Sequence, residues 1–540
     1  MNRTMFFGGV LVVFLGACEF RVPDPPTSAW FVERENELGV PFVTRAYTEE
    51  RRFDFPEIML GGVGLADVDN DGDLDLALVQ GGDLRDPDGS SDQLWRAEGP
   101  WSFRGEPLEG PEYGMGAAFG DVNDDGWVDL YVTNVGPNRC HLNEAGRLVP
   151  SAMARDAAWG ASASFGDPDG DGDLDLFVAN YVAWSPATDR VCSRSSARDY
   201  CQPASYSAPS RDTWFENDGR GGLADRSDEV GLGRRIGYGL GVVHVDLDAD
   251  GRAEVFVAND GSANHLWRFE DGRFVESGLR DGCALGHEGK EEAGMGVAAF
   301  DADLDGAPDL FSVHLRNQTN TLYVNRGDGT FLDRTAARGL GASSLPFTGF
   351  GVRHADFDFD GFGDLVIANG RVIRESPFPD PRDPYAERDV LYRSSHDGRY
   401  AIVEDALPGT LATSRGLAAG DLDGDGDLDL VMTAVGRSVR LLENVGADDR
   451  RWIGVDVRRA SGAVHLGARV TLVPDPEADP RHAWIARDGS YLSSSEPVAR
   501  FALPEGSNVA HSVVVRLPDG REFTWEGLAG DRVHRLTPGE

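Results

Sequence analysis

The chain has 540 residues, with 51 Lys+Arg against 91 Asp+Glu, a net charge of −40. Nucleic acid and anionic membrane surfaces both attract basic proteins, so neither is expected as a partner. A largely disordered chain is excluded too, because 41% of residues are hydrophobic and 27 Phe and 11 Trp supply a sizeable core.

In chain order, the sequence opens with Arg3, an apolar run over 5–15 and the box Leu15-Gly16-Ala17-Cys18. A charged start, a short apolar core and small residues before a cleavage point describe a secretory signal, and the run is too short to span a bilayer. The box resembles the bacterial lipoprotein signal, which implies a signal peptide over 1–18 ending at a lipidated Cys18. Residues 19–29 are Pro-rich and read as a tether. Glu19 after the cysteine favours onward sorting, so the expectation is an exported lipoprotein of the bacterial cell envelope. It would sit at the outer membrane or cell surface and touch the membrane through its lipid only. Cys192 and Cys201 bracket a short polar step, and an oxidising compartment permits a disulfide between them. Cys140 and Cys283 lie far apart and read as unpaired buried thiols.

From residue 67 a nine-residue acidic loop recurs seven times: DVDNDGDLD (67–75), DVNDDGWVD (121–129), DPDGDGDLD (167–175), DLDADGRAE (246–254), DADLDGAPD (301–309), DFDFDGFGD (356–364) and DLDGDGDLD (421–429). Each follows a Gly-rich apolar stretch such as GMGAAFG and precedes a short apolar run such as LYVT or VFVA. Such runs, bounded by Gly and Asp, predict strands. Turns such as the Gly-Asp-Gly of 327–329 add a hairpin to most repeats. About four strands per repeat is the content of one propeller blade. The expected fold is all-β: a seven-bladed β-propeller over 30–445, then a small β-rich domain over 446–540. Residues 30–40 look like the last strand of a repeat, and the seventh repeat lacks its own. The N-terminal strand is therefore predicted to complete the last blade and close the ring. EF-hands share the Asp-x-Asp-x-Asp-Gly opening, but here position 12 (Leu78 in the first loop) falls inside a strand.

The pattern resembles the integrin-type FG-GAP or VCBS repeat, and 30–445 is similar to the propeller of the cartilage acidic protein family and its bacterial relatives. Residues 451–538 resemble the ASPIC/UnbV domain through RWIGVDV (451–457), LGARVTLV (466–473), RDGSYLSSSEP (487–497) and VVVRLPDGREFTWEGL (513–528). The chain departs from that domain at Phe501-Ala502-Leu503-Pro504, where relatives tend to carry Gly-Leu-Gly after the Phe.

Calcium takes about six to eight oxygen ligands. A loop with carboxylates at positions 1, 3, 5 and 9, a turn-forming Gly at 6 and a free carbonyl at 7 can fold around one ion. The predicted side-chain ligands are Asp67, Asp69, Asp71 and Asp75 in loop one, and Asp121, Asn123, Asp125 and Asp129 in loop two. Loop three offers Asp167, Asp169, Asp171 and Asp175, and loop four Asp246, Asp248, Asp250 and Glu254. Loop five offers Asp301, Asp303, Asp305 and Asp309, loop six Asp356, Asp358, Asp360 and Asp364, and loop seven Asp421, Asp423, Asp425 and Asp429. Up to seven structural Ca²⁺ are expected, with loop four the weakest site because of Glu254 and the neighbouring Arg252. Zinc is disfavoured by the lack of Cys and His, and magnesium by its strict octahedral demand. The loops hold 31 acidic residues and one basic residue, three-quarters of the net charge.

No catalytic motif is present. His314, Arg316 and Arg353 are placed at the ends of strands where they would line a channel mouth. The expectation is a monomeric, non-enzymatic binding or adhesion module for a protein or glycan. The alternative is a periplasmic or surface enzyme acting on saccharide at the channel mouth. The insertions 183–211, 286–293 and 371–390 are candidate partner surfaces.

Overall fold

The computed structural model describes residues 29–34, 42–46, 51–85, 91–110, 112–194, 196–447 and 450–539. The 1–18 segment expected from sequence to be a signal ending at a lipidated Cys18 lies outside them.

Each repeat forms one four-stranded antiparallel blade. The innermost strands are Val63–Ala66, Tyr113–Gly120, Gly160–Gly166, Gly239–Val245, Val297–Phe300, Gly349–Ala355 and Ser414–Gly420. Each packs against the next, and Ser414–Gly420 packs against Val63–Ala66, so the ring is closed. The N-terminal strand Phe31–Arg34 supplies the outer strand of blade seven, pairing antiparallel with Arg440–Asn444 in the register Phe31↔Asn444 to Arg34↔Leu441. The last blade is thus built from both ends of the propeller sequence, which removes two strand edges at once.

The core lies in layers between blades. Val63, Leu65, Leu76 and Leu78 of blade one meet Ala418, Val431 and Leu441 of blade seven. Val79 and Leu94 of blade one meet Phe119, Leu130 and Val132 of blade two. Fully burying one such side chain stabilises by roughly 1.5–3 kcal/mol.

The glycine five residues ahead of six of the seven acidic loops sets the blade spacing. A Cβ on Gly62 would lie 2.5 Å from Gly116, one on Gly241 2.3 Å from the Met295 carbonyl, one on Gly296 1.9 Å from the Phe350 carbonyl, and one on Gly416 2.1 Å from the Gly61 carbonyl. These glycines are the points where neighbouring backbones touch. Blade three has Ser162 at that register, and its hydroxyl accepts from the Leu492 N–H at 3.0 Å.

The C-terminal domain has a three-stranded sheet (Trp452–Val457, Ala499–Ala502, Val533–Leu536) and a four-stranded one (Arg469–Val473, Arg481–Trp484, Val509–Arg516, Glu522–Ala529). They enclose a core of Ile453, Val455, Val470, Leu472, Val513 and Val515. Its segment 487–496 leaves this core and fills the propeller channel. Ser493–Ser494 pairs parallel with Val63–Gly64 of blade one. Leu492 O accepts from Ala117 N of blade two at 3.1 Å, and Ser490 and Val297 of blade five exchange backbone hydrogen bonds. Val352 N of blade six donates to Ser490 Oγ at 3.1 Å, and Leu417 N of blade seven to Ser493 Oγ at 3.2 Å. With Ser162 and with His244 N, which donates to Asp488 at 2.7 Å, every blade is engaged. The free inner edges of the ring are satisfied by this one segment.

Strands one and two of each blade meet at the acidic loop, so all seven loops share one face. The insertions 183–211 and 371–390 join strands two and three, and therefore emerge on the opposite face with 286–293. There Cys192 and Cys201 are joined, with S–S 2.00 Å. Asp199 accepts from Tyr385 Oη at 2.7 Å and from Arg374 N at 2.9 Å, tying the first insertion to the second. Phe55, Trp159, Tyr181, Tyr206 and Tyr491 are buried together beneath them. Cys140 and Cys283 are buried free thiols, and burial pushes Cys140 up to about 12.

Candidate metal loops and the seat of the C-terminal domain

The repeating sequence builds one local geometry. Every second strand begins on loop position 9: Asp75, Asp129, Asp175, Glu254, Asp309, Asp364 and Asp429. These seven acids are all buried. In six blades the position-9 carboxylate accepts from a backbone N–H of the third strand, at Ala97, Asn143, Asn217, Asn325, Ser394 and Asn444. In five loops it also accepts from the N–H of position 2. At the other end, the position-1 carboxylates of loops one, two, three, five and six accept from the N–H groups of positions 5 and 6 at 2.7–3.1 Å. The position-6 glycines are all left-handed, from Gly126 at φ 87° to Gly72 at 103°. Position 4 is left-handed as well, even where it is Leu304 (φ 62°) or Phe359 (φ 47°). That strain is tolerated because the carboxylates pin the turn from both sides.

The carboxylates converge. Oxygens of Asp67, Asp69 and Asp71 lie within 4.8 Å of one another, as do those of Asp167, Asp169 and Asp171, of Asp246, Asp248 and Asp250, of Asp301, Asp303 and Asp309, and of Asp356, Asp358 and Asp360. Among the described residues, several buried oxygens at predicted ligand positions have no hydrogen-bond partner: Asp69 Oδ1, Asn123 Oδ1, Asp175 Oδ2, Asp246 Oδ1 and Asp364 Oδ2. Burial pushes Asp75 and Asp129 up to about 7, Asp309 and Glu254 to about 8, and Asp175 to about 9. Neighbouring loop carboxylates add to the rise. An all-oxygen set with orphaned buried acceptors fits a hard cation.

The third strand divides the seven loops into two kinds. In blades two, three, five and seven it ends in Asn143, Asn217, Asn325 and Asn444. Each amide donates to the position-2 carbonyl of the preceding blade: Val68, Val122, Leu247 and Phe357. In blades one, four and six the third strand instead sends an arginine onto its own loop. Arg268 donates to Asp248 at 2.5 Å and Glu254 at 2.9 Å. Arg393 pairs with Asp358 at 2.8 Å and Asp360 at 2.7 Å, and Arg96 reaches Asp69 at 3.2 Å. Arg252, expected from sequence to weaken loop four, donates its guanidinium to the Phe269 carbonyl instead; the cation on the loop is Arg268. Longer contacts, Arg338–Asp303 and Arg500–Asp421 at 3.4 Å, reach loops five and seven. The signal in sequence was the third-strand ending, Trp-Arg or Tyr-Arg against x-Asn.

The C-terminal domain sits on the loop ring. Arg459, Arg469, Arg481 and Arg500 donate to the position-6 carbonyls Gly172, Gly306, Gly361 and Gly426 of loops three, five, six and seven. Arg516 donates to Ala249 O of loop four, and Ser461 Oγ to Asp124 of loop two. Arg487 reaches Leu65 O in blade one.

The residues expected at a channel mouth are dispersed. His314 is fully buried, and burial lowers it to about 4. Arg316 lies 3.6 Å from Glu387 and donates to Pro346 O. Arg353 lines a cavity beneath the C-terminal domain.

A closed ring of acidic-loop blades capped by a β domain defines the class. FG-GAP-like repeats match residues 67–132, 121–178, 246–312, 301–367 and 383–432, together more than half of the chain, and the ASPIC and UnbV domain matches 459–540. The chain belongs to the FG-GAP-like repeat family. Its curated relatives include cartilage acidic protein 1 of Homo sapiens, 29% identical over 367 residues (56% of this chain, 54% of that one). The Xenopus tropicalis protein is 28% identical over 373 residues (56% of each). The chain spans about half the length of the curated relatives it matches. Among solved structures, an Agrocybe aegerita lectin matches with TM-score 0.38 and 13% identity, covering 72% of this chain and 94% of that one.

Proposed function

We propose that the chain is an exported, lipid-anchored propeller, stiffened by calcium at its acidic loops, that acts as an extracellular binding or adhesion module for a protein or glycan. Calcium is the cation the loops suit best, because its coordination tolerates irregular all-oxygen sets. Each ion would clamp the turn between two strands, so binding energy becomes folding energy. The Leu15–Cys18 box supports the anchor.

The observation that carries the binding reading is the division of the two faces. The loop face is covered by the C-terminal domain and the channel is filled by 487–496, whereas the insertions 183–211 and 371–390 meet on the opposite face. Insertions gathered on one face of a rigid scaffold are where recognition concentrates. Val191 and Phe378 are exposed there, at 77% and 38%.

The test is a glycan array and a pull-down from envelope extract, each run in calcium and in EGTA, with captured proteins identified by mass spectrometry. A defined ligand retained only with calcium, and lost when 190–203 is replaced by a Gly-Ser linker, supports the module. Turnover of a saccharide that disappears in Arg316→Ala contradicts it.

A further inference from the structure

A cavity of about 460 Å³ lies between the loop ends of blades three to six and the C-terminal domain, lined by both. That volume falls in the range of small-molecule sites. Its apolar walls include Phe165, Phe300, Trp484 and Phe501, with His354 stacked on Phe300 at 3.7 Å. Into it faces Arg353, three residues ahead of loop six. At the same register the other blades carry Gly64, Ala118, Ser164, Val243, Ala298 and Ala418, so the guanidinium is a departure from the repeat.

Arg353 is not spoken for by the fold. Its Nε is buried without a hydrogen-bond partner, and among the described residues its guanidinium makes no side-chain hydrogen bond or ion pair. The counter-charges that act on it, Asp488 and Glu496, are engaged elsewhere. Asp488 accepts from Ser164 Oγ and His244 N, and Glu496 pairs with Arg500 at 2.6 Å. Arg353 is half-buried; a guanidinium drawn partly out of water without a partner is costly, and a planar carboxylate matches its fork of donors.

We propose that this cavity binds a small organic monocarboxylate, with Arg353 receiving the carboxylate and the aromatic walls its apolar body. Arg450, Arg481, Arg487 and Arg500 also line the cavity, but Arg450 is exposed and the other three donate to the Gly361, Leu65 and Gly426 carbonyls. Arg353 is therefore the guanidinium left for a ligand, and its place beside the first aspartates of four loops favours one negative charge over the several of a phosphate ester. The site is independent of the ligand on the insertion face.

The test is calorimetric titration of the calcium-loaded full chain with phenylacetate and hexanoate, against phenylacetamide, hexanamide and sulfate. At least one acid is expected to bind ten-fold or more tightly than its amide and than sulfate. Arg353→Gln is expected to weaken that acid by ten-fold or more, with Arg353→Lys between the two. Equal binding of acid and amide, sulfate as tight as the acids, or no binding of either acid overturns the proposal on the wild-type chain alone. An unchanged affinity in a folded Arg353→Gln also overturns it.

Discussion

The hydroxyl of Tyr491, in the C-terminal domain, donates to the carbonyl of Met59 at 2.7 Å, across 432 positions of sequence. Its ring meets Phe350 edge-on at 4.8 Å between centroids. The tip of segment 487–496, the plug of the channel, has therefore crossed it from the loop face to the far end, which couples the propeller to the C-terminal domain. Tyr491→Phe is expected to cost about 1 kcal/mol, the lost hydrogen bond, and Tyr491→Ala about 3–5 kcal/mol, as for other large core truncations. Urea unfolding in calcium should show one transition for both domains. Two separated transitions would contradict the coupling.

The contact glycines give a second prediction. A Cβ on Gly351 would lie 2.5 Å from Leu417 Cβ and 2.7 Å from the Arg415 carbonyl. Gly351→Ala is therefore expected to destabilise by about 1–3 kcal/mol through overpacking. At Gly72, left-handed but with nothing within 4 Å of a Cβ, the same change meets only backbone strain and should cost less. Thermal unfolding of the two variants in calcium checks the order.

How much of this was legible in sequence depended on where each interaction kept its partners. The loop geometry could be read because acidic positions, glycine turn and following strand are contiguous, and Asp75 or Asp364 marks the strand start directly. The ring closure could be read because residues 31–34 carry a strand pattern without a repeat of their own. The plug could not. Ser490, Leu492 and Ser493 have no periodicity, and their partners, nearly all backbone groups, are spread over six blades. The arginine seat was hidden similarly, since Arg459 and Arg481 look like solvated surface until the loop carbonyls lie beneath them.

Under the calcium reading, Arg268 and Arg393 compete with the ion at loops four and six. Arg268→Gln and Arg393→Gln are each expected to tighten calcium binding at the altered loop several-fold, while lowering the stability of the calcium-free protein. Calorimetric titration with CaCl₂ reads both occupancy and affinity. A loss of calcium binding in these variants would show that the guanidiniums support the site.

The buried loop acids set the pH response of the calcium-free protein. Their folded pKa values, about 7 for Asp75 and Asp129, about 8 for Asp309 and about 9 for Asp175, lie above the unfolded value of 3.8. The folded state then binds more protons than the unfolded one, so stability rises as pH falls. Between pH 9 and 6.5 the melting temperature in EGTA should climb. Below 6.5 the trend is opposed, because buried neutral His141 and His314, lowered to about 4, begin to favour the unfolded state. In saturating calcium the climb between pH 9 and 6.5 should vanish, since the ions hold the same carboxylates ionised.

Thermal unfolding of the full chain in calcium and in EGTA at pH 7.5 tests directly whether cations at the seven loops organise the ring. Calcium at tenfold its dissociation constant stabilises by roughly 1.4 kcal/mol per site. With up to seven sites, the melting temperature is expected to be higher by roughly ten degrees in calcium, and magnesium at the same concentration should reproduce little of it. Coincident unfolding curves in calcium and EGTA would contradict it.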